Sequence, residues 1–115
     1  MIYLASPYSH PDPRVRQERY EAAVAYAAAM WREGRTVFSP IAHSHPIALL
    51  MPEGGGTWEQ WAEFDRIIIE ACSSIWVLML PGWRESKGVA AEVKIAHEIV
   101  KSVTYVELPS RAVGK

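Results

Sequence analysis

Four short apolar runs alternate along the chain with longer segments in which apolar residues recur at helical spacing. The runs are continuous rather than alternating, which is typical of strands buried on both faces of a parallel sheet. They comprise residues 2–5, 36–39, 75–80 and 103–108. Since strands that alternate with helices favour parallel pairing with helices on both faces, the pattern predicts an α/β fold.

Three segments between these runs have the spacing of amphipathic helices. They comprise residues 14–34, 57–72 and 87–101. Gly34 is positioned to end the first helix, and Thr57 with Gln60 forms a capping box at the start of the second. The stretch 40–56 is expected to be irregular, apart from a helical turn near residues 47–50.

Two carboxylates interrupt the apolar faces of these helices. Glu92 falls inside the apolar arc of 87–101, and Asp65 falls in the middle of the apolar stripe of 57–72. A buried carboxylate without a partner is strongly unfavourable, or its pKa rises so that it stays neutral. Tyr3, on the first strand, can place its hydroxyl beside such a carboxylate or fill the core as an aromatic ring. Two acids on faces turned toward the core therefore indicate a paired-acid site.

Composition limits the kinds of protein that this sequence can encode. Its 115 residues are 50% hydrophobic, which suits one domain over residues 1–108 followed by a tail at 109–115. A net charge of −1 without a basic stripe argues against a nucleic-acid polymer as partner. One cysteine, no apolar run of membrane-spanning length and no basic region before Ile2 together predict a cytoplasmic protein without a disulfide, a membrane span or a signal peptide.

Ligands of parallel α/β sheets bind outside the carboxyl ends of the strands, where the strand order reverses. This rule selects three loops, which are Ser6–Pro13, Ser39–His45 and Pro81–Gly88. The candidate substrate-binding residues in these loops are Ser6, Pro7, Tyr8, His43, Ser86 and Gly88.

Ser86 and Gly88 open the third predicted helix. Ser86 can cap this helix, whose free backbone N–H groups bind an anion or a sugar hydroxyl, and Gly88 lets a ligand approach the backbone. His43 and His45 are separated by one residue, and no Cys, Asp or Glu lies close to them in the sequence. Substrate binding or loop bracing is therefore expected of them rather than metal coordination, and no metal is predicted.

Residues 52–59, with the sequence Pro-Glu-Gly-Gly-Gly-Thr-Trp-Glu, carry a partial motif. They resemble the Pro-Gly-Gly-x-Gly-Thr-x-x-Glu motif of cytokinin-activating phosphoribohydrolases, with the glutamate one residue early. We interpret the segment as a flexible lid that ends in a helix cap. The resemblance points to N-glycosidic chemistry.

Three groups of residues combine into a larger arrangement, namely Ile2–Pro7, Asp65 and Ser86–Glu92. In this order, and with the spacing Ser-x-Gly-Val-x-x-Glu, they resemble the nucleoside 2-deoxyribosyltransferase superfamily, which includes deoxynucleoside 5′-monophosphate N-glycosidases. More narrowly, the chain resembles small DUF1937-type members. The resemblance implies a flavodoxin-like, three-layer α/β/α fold with a parallel sheet of about four strands, no cofactor and a homo-oligomer.

The resemblance also implies a covalent mechanism on a small-molecule nucleoside or nucleotide. Glu92 matches the nucleophile that attacks the anomeric carbon, and Tyr3 matches the tyrosine that positions it. Asp65 matches an acid near the leaving base, while Ser86 and Gly88 match a helix start that contacts the sugar or phosphate. N-glycosidic cleavage passes through an oxocarbenium-like state that a carboxylate stabilises or captures, so these roles agree with the chemistry.

The sequence departs from the superfamily at three places. Ser73 and Ser74 precede the third strand where an acid is usual, and Lys94 stands where a glycine is common. Tyr8–Pro11 replaces a glycine-rich phosphate loop. Any binding of phosphate would then fall to other residues.

Three interpretations follow from the sequence. The first is an enzyme that cleaves or transfers at an N-glycosidic bond. The second is a catalytically inactive nucleotide-binding or sensing module. The third is an oligomer-forming scaffold whose two acids pair with Arg14, Arg66 or Arg84.

Overall fold

The computed structural model describes residues 1–51 and 58–108, and a four-stranded parallel sheet lies at its centre. The strands are β1 (Ile2–Ala5), β2 (Val37–Phe38), β3 (Ser74–Leu78) and β4 (Ser102–Val106). They lie in the order β2-β1-β3-β4, and each neighbouring pair is parallel. The predicted α/β fold with a parallel sheet of four strands is confirmed.

Four α-helices accompany the sheet within the described ranges. They are α1 (Pro13–Arg32), α2 (Pro40–Leu49), α3 (Trp58–Ala71) and α4 (Lys87–Glu98), and a short 3-10 helix (Trp83–Glu85) precedes α4. Helices α1, α3 and α4 confirm the three predicted helices. Gly34 follows α1 with φ +85°, a conformation that a residue without Cβ adopts readily and that ends a helix. Residues 52–57, which include the capping-box Thr57 and most of the 52–59 motif, and the tail 109–115 lie outside the described residues.

The expectation that residues 40–56 are irregular is wrong for α2. Ser39 caps this helix by accepting a hydrogen bond at Oγ from Ala42 N at 3.1 Å, and Pro40 occupies its start, where a missing N–H removes no helical bond. Pro46 does remove one bond further along. The helix persists because His45 and Pro40 are buried in tertiary contacts, which outweigh the local penalty.

Helix α4 ends three residues earlier than expected. Val100 adopts φ +59°, a left-handed conformation that turns the chain toward β4 and is strained for a β-branched residue. The turn is anchored by Lys101, whose Nζ donates to the Cys72 carbonyl oxygen at 2.6 Å and to the Glu70 carbonyl oxygen at 3.3 Å. The sequence has valine rather than glycine or asparagine at this position, so the turn could not be predicted from it.

Two hydrophobic clusters on opposite faces of the sheet complete the three layers. The side chains of β1 alternate between them, because Tyr3 and Ala5 belong to the cluster under α3 and α4, whereas Leu4 belongs to the cluster under α1. This arrangement is consistent with the expected flavodoxin-like fold.

The strand order reverses between β1 and β3, so the loops that follow these strands diverge. Arg19 on α1 links the two loops, since its guanidinium donates to the Ser9 carbonyl oxygen at 3.0 Å and to the Pro81 carbonyl oxygen at 3.2 Å. Gly82 lies against it with φ +89°, and a Cβ there would come within 2.6 Å of Arg19 Nη2. A glycine at this position therefore allows the link between the loops.

Candidate functional site

A cavity of about 830 Å³ opens where the strand order reverses. Its walls come from the loop after β1, from α2 and α3, and from the start of α4. Asp65 and Glu92, the two acids found on apolar helix faces in the sequence, both line it. The structure therefore brings together side chains that are 27 residues apart along the chain.

Tyr3 and Glu92 form a buried hydrogen bond between the sheet and α4. Tyr3 lies on β1 and is fully buried on the face that packs against α3 and α4. Ser86 caps α4 by accepting a hydrogen bond at Oγ from Val89 N at 3.2 Å, and this starts the helix so that Glu92 faces the sheet. The Tyr3 hydroxyl donates to Glu92 Oε2 at 2.6 Å, and Glu92 is only 8% exposed.

Asp65 on α3, which is half-buried, completes this group, which we call the acid-pair group (Tyr3, Asp65 and Glu92). Burial raises the pKa of Glu92 well above its usual value, and the negative charge of Asp65 raises it further. Burial also raises the pKa of Asp65, but hydrogen bonds from Glu92 and Tyr3 act to lower it. Burial and the two acids raise the pKa of Tyr3 well above its usual value, so it remains a neutral donor.

Two adjacent carboxyl groups shielded from water do not both ionise readily, so the pair favours a state that shares one proton. Glu92 is the member that holds a proton more readily, since it is more deeply buried and the charge of Asp65 opposes its ionisation. Among the described residues, no ion pair joins either acid to an arginine. The three arginines of the scaffold interpretation instead contact Asp12, Glu98 and the ring of Trp83.

The cavity contains part of the predicted substrate-binding set. Ser86 and Gly88 line it at the start of α4. Ser6 lines it from the end of β1, and its Oγ is buried without a hydrogen-bond partner in the described part of the chain. Pro7 is fully buried behind the lining, so its ring shapes the loop rather than the cavity surface.

Tyr8 lines the cavity from the loop after β1 and is held by a second hydrogen-bonded group. Its Oη lies 2.6 Å from His45 Nδ1, and His45 Nε2 lies 3.0 Å from Gln17 Oε1. Because the Gln17 carbonyl oxygen can only accept, His45 carries its proton on Nε2, and Nδ1 accepts from the Tyr8 hydroxyl. Burial lowers the pKa of His45, and Arg16 lowers it further, so the ring is neutral. We call Tyr8, His45 and Gln17 the tyrosine–histidine group.

His43 lies outside the cavity lining. It is exposed on α2, and its ring stacks on Phe64 with centroids 5.1 Å apart. Residues two apart on a helix point in different directions, so His43 and His45 do not converge as they would in an extended segment. Across residues 1–51 and 58–108 there is no group of three or more side chains that could hold a metal ion.

His45 braces the loop after β1 through its hydrogen bond to Tyr8, which is one of the two roles expected of it from the sequence. Its placement on a helix was not expected, since the structure puts it on the buried side of α2 beneath Tyr8. The Ser39-Pro40 pair, a common helix start, was the signal that could have placed it on a helix. Trp61 and Lys87 also line the cavity, and the sequence pattern did not single out either residue as a binding residue.

A known family model matches most of the sequence. The model of a domain of unknown function, DUF1937, matches residues 1–108, a range that includes all four strands and the acid-pair group. No curated protein matches the sequence. Within the described ranges, no helix is long and apolar enough to cross a membrane.

Proposed function

We propose that this chain, which belongs to the DUF1937 family of unknown function, cleaves the N-glycosidic bond of a nucleoside or nucleotide or transfers its sugar to another base. The observation that carries the proposal is the acid-pair group beside a cavity of about 830 Å³. A volume of this order suits a small organic ligand. A relation to the nucleoside 2-deoxyribosyltransferase superfamily is part of the proposal, and its support is the sequence resemblance at Ile2–Pro7 and Ser86–Glu92.

Glu92 is the nucleophile in this mechanism. Tyr3 occupies Oε2, which leaves Oε1 to attack the anomeric carbon, C1′. As the bond between Oε1 and C1′ forms, the bond between C1′ and the base nitrogen breaks, and its electron pair leaves with the base. The carboxylate stabilises the positive charge that develops on the sugar ring and then captures C1′.

Asp65 supplies the proton that the departing base requires. In the free protein the proton of the pair resides on Glu92, whose pKa is raised by burial and by Asp65. On substrate binding this proton passes to Asp65 and from there to the base, so Glu92 is ionised when it attacks. One shared proton thus serves both the acid and the nucleophile.

Release of the sugar restores the pair. Ionised Asp65 takes a proton from water, the water oxygen bonds to C1′, and the bond between C1′ and Oε1 breaks with its electrons returning to Glu92. The pair then holds one proton, as it did at the start. In sugar transfer, the nitrogen of a second base takes the place of the water oxygen.

The serines that stand before β3, where the superfamily usually has an acid, do not argue against this function. Ser74 begins β3 and pairs with Ile2, so it lies at the amino edge of the sheet, whereas the cavity lies at the carboxyl edge. Ser73 donates from Oγ to the Met1 carbonyl oxygen at 3.1 Å at the same edge. The acid that is missing at this position would therefore not have lined the cavity.

A catalytically inactive nucleotide-binding module is the second candidate function. It is favoured by the raised pKa of Glu92, because a protonated carboxyl group is a poor nucleophile. Such a module would bind a nucleoside or nucleotide in the same cavity without releasing the base.

Base release from a panel of nucleosides and their 5′-monophosphates, followed by chromatography, tests the proposal. We expect the wild type to release free base and Glu92→Gln to lower the rate by at least about 10³-fold, as removal of a nucleophile does. The amide keeps the size of the side chain and an oxygen that can accept from Tyr3.

Glu98→Gln is the matched control on the same helix. Glu98 pairs with Arg66 at 3.2 Å on the surface, where an ion pair contributes little, so the rate is expected to change less than about twofold. Undiminished base release by Glu92→Gln would refute the nucleophile. Binding by the wild type without release from any substrate would favour the inactive module.

A further inference from the structure

Tyr8 presents a hydrogen-bond acceptor to the cavity rather than a donor. Its hydroxyl hydrogen is committed to His45 Nδ1, at an oxygen-to-nitrogen distance of 2.6 Å. A phenol has one hydrogen to donate, so the remaining capacity of the Tyr8 oxygen is to accept. A ligand atom that contacts this oxygen must therefore carry a hydrogen.

The acceptor is held in one orientation by its surroundings. His45 is only 4% exposed, its second nitrogen is bonded to Gln17, and the ring of Tyr20 stacks on it at 4.4 Å. Arg19 donates to the Ser9 carbonyl oxygen, next to Tyr8 in the chain. An oxygen fixed in this way binds a ligand without first losing conformational freedom.

Ser6 provides the complementary group on the same loop. Ser6 lines the same cavity, and its buried Oγ has no hydrogen-bond partner among the described residues. A buried hydroxyl without a hydrogen bond is unfavourable, so a ligand that supplies one gains affinity. An alcohol can accept from Ser6 and donate to Tyr8 at once, whereas an ionised phosphate cannot donate to Tyr8.

The charge of the lining also disfavours a phosphate. Three of the described lining residues are acids, namely Asp65, Glu85 and Glu92, and Lys87 is the one base among them. Even when the acid pair shares a proton, negative charges on the described lining outnumber positive ones. A phosphomonoester brings nearly two further negative charges near neutral pH. The lining therefore favours an uncharged ligand.

We propose that Tyr8 and Ser6 form a subsite for an uncharged sugar hydroxyl, and that the substrate class is the free nucleoside rather than its 5′-monophosphate. This inference rests on the proposed function only for the identity of the ligand as a nucleoside. His45 and Gln17 act as positioning residues, since they contact Tyr8 and each other rather than the ligand.

Calorimetry on the Glu92→Gln protein, in which turnover is expected to be at least about 10³-fold slower, tests the subsite. The probes are 2′-deoxynucleosides, their 5′-monophosphates, and analogues that lack either the 3′- or the 5′-hydroxyl. We expect the nucleoside to bind at least about tenfold more tightly than its monophosphate. We expect Tyr8→Phe to weaken nucleoside binding about tenfold, the effect of one hydrogen bond, and to leave unchanged the binding of the analogue that lacks the recognised hydroxyl.

Tyr105→Phe is the matched control, because it removes a hydroxyl from an exposed tyrosine on β4 that does not line the cavity. It should change no affinity by more than about twofold. Tighter binding of the monophosphate, or an equal loss with every analogue, would overturn the subsite and leave the proposed function intact. Wild-type protein that releases no base would refute the proposed function, while the Tyr8→Phe affinities would still decide the subsite. Failure of every nucleoside to bind would overturn both.

Discussion

Two tyrosines five residues apart organise two different polar groups at one cavity. The Tyr3 hydroxyl donates to Glu92 and the Tyr8 hydroxyl donates to His45, each at 2.6 Å. The acid-pair group contains a second acid, Asp65, and no cation pairs with either acid in the described part of the chain. The tyrosine–histidine group instead contains a neutral imidazole, and both of its nitrogens are hydrogen-bonded.

The difference shows that hydrogen-bond length does not reveal what a buried polar group does. In the acid-pair group the charges repel and the pKa of Glu92 is raised, which is the condition of a group poised to transfer a proton. In the tyrosine–histidine group the Tyr8 hydroxyl and both nitrogens of His45 have hydrogen-bond partners, which makes the group rigid. We therefore assign chemistry to the first and ligand positioning to the second.

Asp65→Asn should have the largest effect, because it removes both the proton donor and the charge that raises the pKa of Glu92. We expect base release to fall about 10²- to 10⁴-fold, the usual contribution of a general acid. The wild-type rate should pass through a maximum with pH, since the active pair carries one proton. In the variant the alkaline limb should disappear, because the pair no longer has a shared proton to lose as pH rises.

Glu63→Gln is the control for this variant, because Glu63 is an exposed acid on the same helix. Its pH profile should match that of the wild type. An Asp65→Asn profile that keeps its alkaline limb would remove Asp65 from the proton path.

Tyr3→Phe should have the next largest effect. The hydrogen bond from Tyr3 lowers the pKa of Glu92, so its loss should raise that pKa and move the acid limb of the rate profile to higher pH. We expect kcat to fall about 10- to 100-fold, the value of a hydrogen bond to a charged group, with little change in KM. Tyr8→Phe should instead raise KM and leave kcat nearly unchanged. If both variants changed kcat and KM in the same way, the proposed difference in role between the two groups would be wrong.

Much of the acid-pair group could be predicted from the sequence. Helical spacing alone placed Glu92 and Asp65 on apolar faces, because each lies within a long helix whose pattern is regular. Continuous apolar runs placed the four strands within a few residues of their observed bounds. The strands and the two misplaced acids could thus be predicted, because both depend on regular periodicity and on burial.

The tyrosine–histidine group could not be predicted in the same way. His45 lies on α2, a short helix interrupted by Pro46, and tertiary contacts rather than local pattern hold that helix together. Gln17 meets His45 across a separation of 28 residues, and nothing local in the sequence encodes such a contact. The left-handed turn at Val100 was missed for a related reason, since it is imposed on a residue that disfavours it.

His45→Ala should separate stability from catalysis. It leaves the Tyr8 hydroxyl and the Gln17 Oε1 without a partner and opens a void beside Tyr20, so we expect the free energy of unfolding to fall by roughly 2 kcal/mol. Because the acid pair is untouched, kcat should change less than about threefold. Denaturant titration and initial rates measure the two quantities. His43→Ala, on the exposed side of the same helix, is the control and should cost less than about 1 kcal/mol.

The two groups should also change stability with pH in opposite directions. Unfolded Glu92 loses its proton near its usual pKa of 4.5, whereas the folded side chain keeps it to higher pH, so stability falls as pH rises through that interval. His45 has a lowered pKa in the folded state, so it stays neutral while the unfolded residue protonates below its usual pKa of 6.5. The contribution of neutral His45 to the free energy of unfolding is therefore fully present above pH 6.5, and it falls as pH decreases toward the pKa of the folded state.

The slopes of stability against pH from Glu92 and His45 partly cancel in the wild type, so single variants are needed to measure each one. These slopes are the smallest of the expected effects. Each proton changes stability by at most about 1.4 kcal/mol per pH unit. Relative to Glu98→Gln, Glu92→Gln should gain more stability as pH rises from 4.5, because the destabilising slope of Glu92 is removed while the stabilising slope of His45 remains. His45→Ala should lose stability as pH rises through the same interval. Denaturant midpoints at half-unit pH steps measure both slopes, and parallel curves for the two variants would show that neither buried group titrates as its surroundings require.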